Sequence, residues 1–367
     1  MRDKLLWLGA GAIASTCHSA AAIEMPRFGA DFIYHSNTYS GSLFDYEDDS
    51  TGYWRRLRAS VKQDFTSWLS AKASTDYEYD DRKFELVDLY LEWSINADWS
   101  MLVGRFKEPF SMENVQSLKT QYMTERSAPG NALTYGRNYG IGLFYEGKRW
   151  TWAGAVTEED AEDEGFDDAY AATSRITYAP VLEDEYFVHL GAGYSQRDAT
   201  ERNYRPDANL IAKGADAEVR SPRLRGVDEM QAYNLELAGQ WRNFLVQAEA
   251  FKQQVDMLNG EKHHLDGHYA VVLWTITGNP RRYRDGEISL GKGDHITELA
   301  IRYSHSDFVV EGDGDRGDTR AIAINYYPRS NIRLSLEYEY GTLYDYDEYS
   351  RDMERGESFN GRLQYLF

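Results

Sequence analysis

From residue 26 onward, apolar and polar positions alternate with a period of two, while the helical period of 3.6 is nearly absent. In NIRLSLEYEY the positions Ile332, Leu334, Leu336, Tyr338 and Tyr340 are apolar or aromatic, and Arg333, Ser335, Glu337 and Glu339 between them are polar. In GYWRRLRASVKQDF one face carries Tyr53, Leu57, Ala59 and Val61, with Arg55 out of place among them; the other carries Arg56, Arg58, Ser60 and Lys62. WLSAKASTDYEY sets Leu69, Ala71, Ala73, Thr75 and Tyr77 against Ser70, Lys72, Ser74 and Asp76. The pattern predicts sixteen strands, beginning near residues 26, 52, 68, 84, 99, 137, 149, 169, 186, 230, 244, 264, 295, 318, 331 and 356.

Short turns such as DFTSW, INADW, EGKRW, WRNF and YPRSNI join many of these strands. They alternate with longer polar connections near 39–51, 158–168, 198–228, 308–317 and 343–356. Short turns at one rim, long loops at the other and alternation throughout predict a transmembrane antiparallel β-barrel of about sixteen strands with both ends on the periplasmic side. A soluble sandwich or propeller is the competing fold. It is disfavoured because the polar faces carry full charges strand after strand, where a sandwich interior would be apolar. Aromatics gather toward strand ends, as an interfacial girdle requires. The chain also closes on FNGRLQYLF, with Phe359, Leu363, Tyr365 and Phe367 on one face, an ending similar to the assembly signal of bacterial outer-membrane barrels.

Composition sharpens this picture. Twenty-eight Tyr, nine Trp and only eight Pro suit a strand-rich chain. Residues 1–22 have the form of an export signal: a short, mostly basic start, the apolar LLWLGAGAIA, and small residues at 20–22. The barrel is then expected over residues 23–367 as one domain. Thr16 before Cys17, and Ala14 where a Leu is usual, fit a lipoprotein signal poorly, so lipidation is not expected. Cys17 is the single cysteine and would leave with the signal, so neither disulfides nor thiol chemistry are expected in the mature protein. Arg2, Asp3 and Lys4 would leave too, moving the net charge from −20 to −21. A chain this acidic lacks the basic footprint of a nucleic-acid binder. No stretch after residue 22 is apolar enough for a membrane-spanning helix.

One connection stands out. The strand WSMLVGRF runs into Pro109, which cannot donate to a sheet ladder. Alternation returns only at Arg137, after about thirty residues, too long for an ordinary connection. The interval 104–137 holds Arg105, Lys107, Lys119, Arg126 and Arg137 against Glu108, Glu113 and Glu125, a local excess of two positive charges in an acidic protein. A sixteen-stranded barrel encloses an aqueous channel. A third loop folded into it would narrow the bore, and Lys and Arg placed there would concentrate anions between low-dielectric walls. Arg56, Arg58 and Lys62 would face the same space from the wall. A solvated outer loop is the alternative.

The stretch VGRFKEPFSMENVQSLKTQYMTERSAPGNALTYGRNYGIGLFYEG resembles the phosphate-selective porin O and P family. There a strand ending in G-[QR]-F-K-E-P-F leads to a loop with an M-E-R-S-like element and a G-R-N-x-G strand start. RRLRASVKQDF, FELVDLYLEW, RITYAP, HLGAGYSQRD and TGNPRRYR are similar to that family too, so the resemblance covers most of the mature chain. It implies a Gram-negative outer-membrane porin embedded in lipid and lipopolysaccharide. Such a porin is usually a homotrimer, without cofactor, passing small inorganic anions such as phosphate past an inward third loop. TERS at 124–127 departs from Met-Glu-Arg-Ser by its Thr, leaving Arg126 as the expected constriction residue. The anion-binding candidates are therefore Arg56, Arg58, Lys62, Arg105, Lys107, Lys119, Arg126 and Arg137.

Other sequence features point elsewhere. Asp31, Asp76, Asp88, Glu92, Glu337 and Glu339 also fall on faces assigned to the lumen, and bases facing acids would suit a general porin with a transverse field. An outer-rim hydrolase would need Ser and His in register; His305 sits on the apolar face, but no G-x-S-x-G accompanies it. EKHHLDGH gathers His263, His264 and His268, either as metal ligands or as a solvated cluster. The acidic runs DYEDD and EEDAEDE fit an adhesin's loops or a solvated rim.

Overall fold

The computed structural model describes residues 25–44, 49–78, 82–158, 170–183, 185–211, 213, 217–346 and 351–367. The proposed export signal and the acidic runs at 45–49 and 158–164 therefore lie wholly or largely outside the described residues. Strands β1 (Arg27–Gly41), β2 (Asp49–Asp64), β3 (Leu69–Glu78), β4 (Lys83–Ser94) and β5 (Trp99–Lys107) come first. A long loop with two short helices, α1 (Met112–Val115) and α2 (Ala128–Ala132), leads to β6 (Arg137–Glu146). Next come β7 (Trp150–Glu158), β8 (Tyr170–Leu182) and β9 (Tyr186–Tyr204), then a small hairpin of β10 (Asp207–Asn209) and β11 (Glu218–Arg220). β12 (Leu224–Trp241), β13 (Phe244–Met257) and β14 (Lys262–Thr277) precede a second small hairpin, β15 (Arg282–Arg284) and β16 (Glu287–Ser289). β17 (Ile296–Asp307), β18 (Gly314–Arg329), β19 (Ile332–Tyr346) and β20 (Arg351–Leu366) complete the chain.

All but the two small hairpins join one closed antiparallel barrel of sixteen strands, in which β1 pairs with β20 from Asp31 opposite Leu366 to Gly41 opposite Gly356. Closure leaves no strand edge with unpaired backbone groups, the condition for standing in hydrocarbon. Alternation sorts the two faces. On β19, Arg333, Ser335, Glu337 and Glu339 are buried inward while Leu334 and Leu336 are exposed outward. The shortest strands of the barrel, β5 and β7, have nine residues. At about 3.3 Å per residue and a tilt of roughly 40°, that length rises about 23 Å, close to the apolar band of an outer-membrane barrel. At the short-turn rim, outward rings pair across strands: Trp68 with Trp93, Trp99 with Tyr145, Trp150 with Tyr178, Phe244 with Trp274. This is the expected aromatic girdle.

Two features depart from the sequence pattern. In β2 the register slips between Ile33 and Tyr34, which pair with Arg56 and Trp54, so Arg55 is an extra bulge residue. A bulge reverses the phase of alternation. Tyr53 and Arg55 therefore point into the lumen together with Arg56 and Arg58, and Tyr53 does not share a face with Leu57. The second departure is the connection 278–295. It lies at the short-turn rim, yet it is long, and its β15–β16 hairpin folds back into the barrel. Arg281 is fully buried there, ion-paired with Glu298 at 2.7 Å.

The lumen is consequently filled rather than open. Phe110, Met112, Tyr122, Met123 and Leu133 of the long loop form one buried apolar cluster with Leu210, Ile211 and Val219 near β10 and β11 and with Ile288 of β16. The expectation of an inward third loop holds, and two further insertions share the space.

Candidate pore eyelet

The long loop is held by polar contacts spread along its length. Glu108, fully buried directly after β5, pairs with Arg197 and accepts from Thr173 at 2.7 Å, Asn138 at 2.7 Å and Thr157 at 3.2 Å. Burial opposes its charged form, but the Arg197 guanidinium outweighs that and lowers its pKa. Pro109 then ends the ladder, and Phe110 packs on Tyr135. The backbone N–H groups of Met112 and Glu113, at the start of α1, donate to Glu249 of the far wall at 2.9 and 2.7 Å. Glu113 accepts from the Ser127 hydroxyl at 2.6 Å, and Ser127 caps α2, so the two helices are stapled together. Glu125 takes a bidentate Arg55, the bulge arginine. Burial pushes the Glu125 carboxyl up, but Arg55 overrides it and the pKa falls to about 2.

Arginines from the wall grip the loop carbonyls directly. Arg281 donates to Thr120, Arg333 to Gln121 and Tyr122, Arg362 to Leu118 and Thr124, and Arg302 to Glu125. Glu337 accepts from the Thr124 N–H at 2.7 Å. These anchors were not among the sequence candidates, although alternation had put Arg333 and Glu337 on the polar face of their strand.

With the loop pinned to the β12–β20 side, an open cavity of about 370 Å³ remains against β1–β6. Its charged lining is Arg56, Arg58, Lys72, Lys107, Lys119 and Arg137, with Asp31, Asp88 and Glu287. Ser60, Ser74 and Ser117 add hydroxyl groups. Six cations thus face three carboxylates inside a protein of net charge −20. Several are paired: Lys119 with Asp31 at 2.7 Å, Lys72 and Arg137 with Asp88 at 2.9 and 2.6 Å, and Arg58 with Asp76 at 2.5 Å. Lys107 donates to the Asn114 carbonyl at 2.5 Å. Arg56 makes no hydrogen bond or ion pair to any described residue, and its Nε is buried without a partner. Bases and acids interleave on this wall rather than facing each other across the bore.

Five of the eight sequence candidates, Arg56, Arg58, Lys107, Lys119 and Arg137, line this one cavity, and Lys72 joins them. Lys62 stands opposite Lys72 in the β2–β3 register but is bridged to Glu92 at 2.8 Å, outside the lining. Of the other two candidates, one stands elsewhere in the lumen and one is corrected. Arg126 donates to the carbonyls of Glu113 and Asn114, both at 3.1 Å, and lines a second cavity with Arg55, Glu125 and the β10–β11 hairpin. It braces the loop rather than narrowing the eyelet. Arg105 pairs in register with Leu89 and Tyr139, both exposed on the barrel's exterior, and stacks on Tyr139 at 5.6 Å. It faces away from the lumen. His305 lies on the outer face as expected, 3.0 Å from Asp318 and with its ring 5.2 Å from that of His268.

Comparison with known proteins agrees with this architecture. The sequence model of the family described as phosphate-selective porin O and P matches residues 28–367. An uncharacterized protein of Caulobacter vibrioides is 25% identical over 319 residues, covering 79% of this chain and 63% of that protein. Porin O of Pseudomonas aeruginosa is 26% identical over 305 residues, covering 72% of this chain and 69% of its own length. The chain thus spans about two thirds of the length of these relatives. Among solved structures, the anion-selective porin from Comamonas acidovorans superposes with a TM-score of 0.63 at 9% identity, over 94% of this chain and 100% of the other. OmpT of Vibrio cholerae in its trimer form gives 0.58 at 12% identity, over 94% and 99%. At such identities the structural likeness concerns the fold.

Proposed function

The chain belongs to the phosphate-selective porin O and P family, and from that premise we propose that it is an outer-membrane porin through which small oxyanions, phosphate among them, diffuse passively. Family and barrel point to a channel rather than an enzyme. The observation that carries anion preference is the eyelet lining, six cations to three carboxylates, with Arg56 held without a partner among the described residues. An ion shedding part of its water there would exchange it for charge-assisted N–H donors and serine hydroxyls. Arg56, Arg58, Lys72, Lys107, Lys119 and Arg137 are the groups proposed to guide it. Export by residues 1–22, assembly as a homotrimer, and lipid with lipopolysaccharide as the surroundings belong to the same proposal.

A second possibility, a weakly selective general porin, is favoured by the ion pairs that offset most of those cations. Reversal potentials of single channels in a potassium chloride gradient separate the two. A reversal toward the chloride equilibrium potential, with chloride current blocked by phosphate, supports the anion porin. Reversal near zero without block supports the general one.

A further inference from the structure

We propose a divalent transition-metal site at the long-loop rim, formed by Glu261 and His263 of the β13–β14 hairpin and Glu311 of the β17–β18 hairpin. One ligand atom from each of the three lies within 4.8 Å of the other two. The residues border a surface cavity of about 330 Å³, distinct from the eyelet. Because β14 pairs with β17 up to Asp266 opposite Asp307, the two hairpin turns stand side by side.

Both turns are tight, which fixes where the ligands start. In the first, the Gly260 N–H donates to the Met257 carbonyl at 2.8 Å, and the Met257 N–H to the Glu261 carbonyl at 2.9 Å. In the second, Val310 and Asp313 exchange both backbone hydrogen bonds, leaving Glu311 and Gly312 as a two-residue corner with φ of 55° and 90°. Such a corner projects the Glu311 side chain from a rigid base. Asn259 donates to one Glu261 oxygen at 2.7 Å, orienting that carboxylate in the way outer partners orient metal ligands. The adjacent cation, Lys262, also borders this cavity, but its ammonium is engaged by Asp256 at 2.7 Å. Two carboxylates and an imidazole therefore converge beside an ammonium that already has its own carboxylate partner.

One nitrogen and two carboxylate donors suit a borderline ion such as Zn²⁺, with water completing the coordination. Calcium and magnesium, which prefer oxygen throughout, would gain little from His263. A bound ion would cross-link the two hairpins at the rim.

The test uses untagged full-length protein in detergent, stripped with chelator and titrated with Zn²⁺ by isothermal calorimetry. One saturable ion per chain is expected. His263→Ala and Glu311→Gln should each weaken binding at least tenfold, the scale on which even outer-shell losses act. His268→Ala, beside His305 on the outer face, should leave it unchanged. Heat-modifiable migration on gels checks that each variant is folded, and Glu261→Gln substitutes for any that is not. The proposal is overturned by absence of saturable binding, by loss of binding in His268→Ala rather than His263→Ala, or by equal affinity for Ca²⁺ that is indifferent to His263.

Discussion

Replacing Arg56 by Ala tests whether near contacts at the eyelet, rather than total charge, set selectivity. Arg56 is the eyelet cation that lacks a hydrogen-bond or ion-pair partner among the described residues, so its removal orphans no acid. Lys62→Ala is the control. It removes the same unit charge from the same strand face, but from a residue outside the cavity and bridged to Glu92. A unit charge 4 Å from a passing anion is worth roughly 1 kcal/mol in bulk water and about 4 at an effective dielectric of 20. The eyelet is partly open, so about 2 kcal/mol is a fair middle value, or roughly a thirtyfold change in anion occupancy. At 0.1 M salt, charges beyond roughly 10 Å are screened, and the distant acids that make up the net charge should contribute little.

The assay is single-channel recording in planar bilayers under a tenfold potassium chloride gradient, with phosphate titrated against the chloride current. Arg56→Ala should move the reversal potential toward zero and raise the half-blocking phosphate concentration by about five- to thirtyfold, the range for roughly 1 to 2 kcal/mol. Lys62→Ala should shift both far less, and its residual effect should fade in 1 M salt, where the screening length is about 3 Å. Equal shifts for the two variants, or an Arg56→Ala channel indistinguishable from the parent, would refute the argument.

Four further outcomes are expected. Arg58→Ala leaves Asp76 without its bidentate partner and so should reduce chloride preference more than the Arg58→Ala, Asp76→Ala double variant does; equal effects in reversal-potential measurements would mean Asp76 is screened from the bore. Glu108→Gln removes the carboxylate opposite Arg197 at the root of the loop and should lower thermal stability by about 3–5 kcal/mol, with noisier open-channel current. Gly104 has φ of 129°, and a Cβ there would sit 2.2 Å from the Leu89 carbonyl oxygen, so Gly104→Ala should depress the yield of heat-modifiable barrel, whereas a normal yield would show that β4 and β5 can separate. Glu108 and Glu125 titrate below their ordinary range near 4.3, so the stability they lend is complete above that value and fades as pH falls below it, for Glu125 toward about 2. Channel noise should therefore be flat from pH 7 to 5 and rise only below about 4; a rise between 7 and 5 would implicate a histidine instead.

The barrel was legible because a lumen-facing and a lipid-facing side impose period two on every strand, and the charges of Arg333, Glu337 and Glu339 on one face mark the wet side. The inward β15–β16 hairpin was not. Its strands are three residues long, too short for any period, and what draws it in is tertiary: Arg281 reaching Glu298 and the Thr120 carbonyl. The bulge at Arg55 left a trace, the arginine out of phase in RRLR, but a phase error alone does not say on which side of it the face reverses. Arg105 could have been placed correctly, since it shares its strand face with Val103; counting it with the loop overrode the alternation. Arg126 could not, because the carbonyls of Glu113 and Asn114 that occupy it are visible only once the loop is folded.

The same distinction explains how a chain of net charge −20 can carry a cationic eyelet. Its lumenal acids largely act as struts. Glu108 holds Arg197 and three side-chain donors, Glu249 accepts the first N–H groups of α1, Glu113 ties α1 to α2, Glu125 takes Arg55, and Glu337 takes Thr124. An ionised carboxylate buried in the barrel needs such donors, and a loop with unpaired backbone groups needs acceptors, so each satisfies the other. The loop is thereby pressed against the far wall, and the bore is confined to the side where Arg56, Lys72, Lys107 and Arg137 stand. GRFKEPF compresses this arrangement into seven residues. Gly104 permits the close approach to β4, Phe106 seals the wall beneath the cavity, and Lys107 enters it. Glu108 fastens the loop root, Pro109 ends the ladder, and Phe110 begins the packed interior. Net charge is a poor guide to such a channel, because these five lumenal acids are bound to the loop and its anchors while the cations that matter line the path left open.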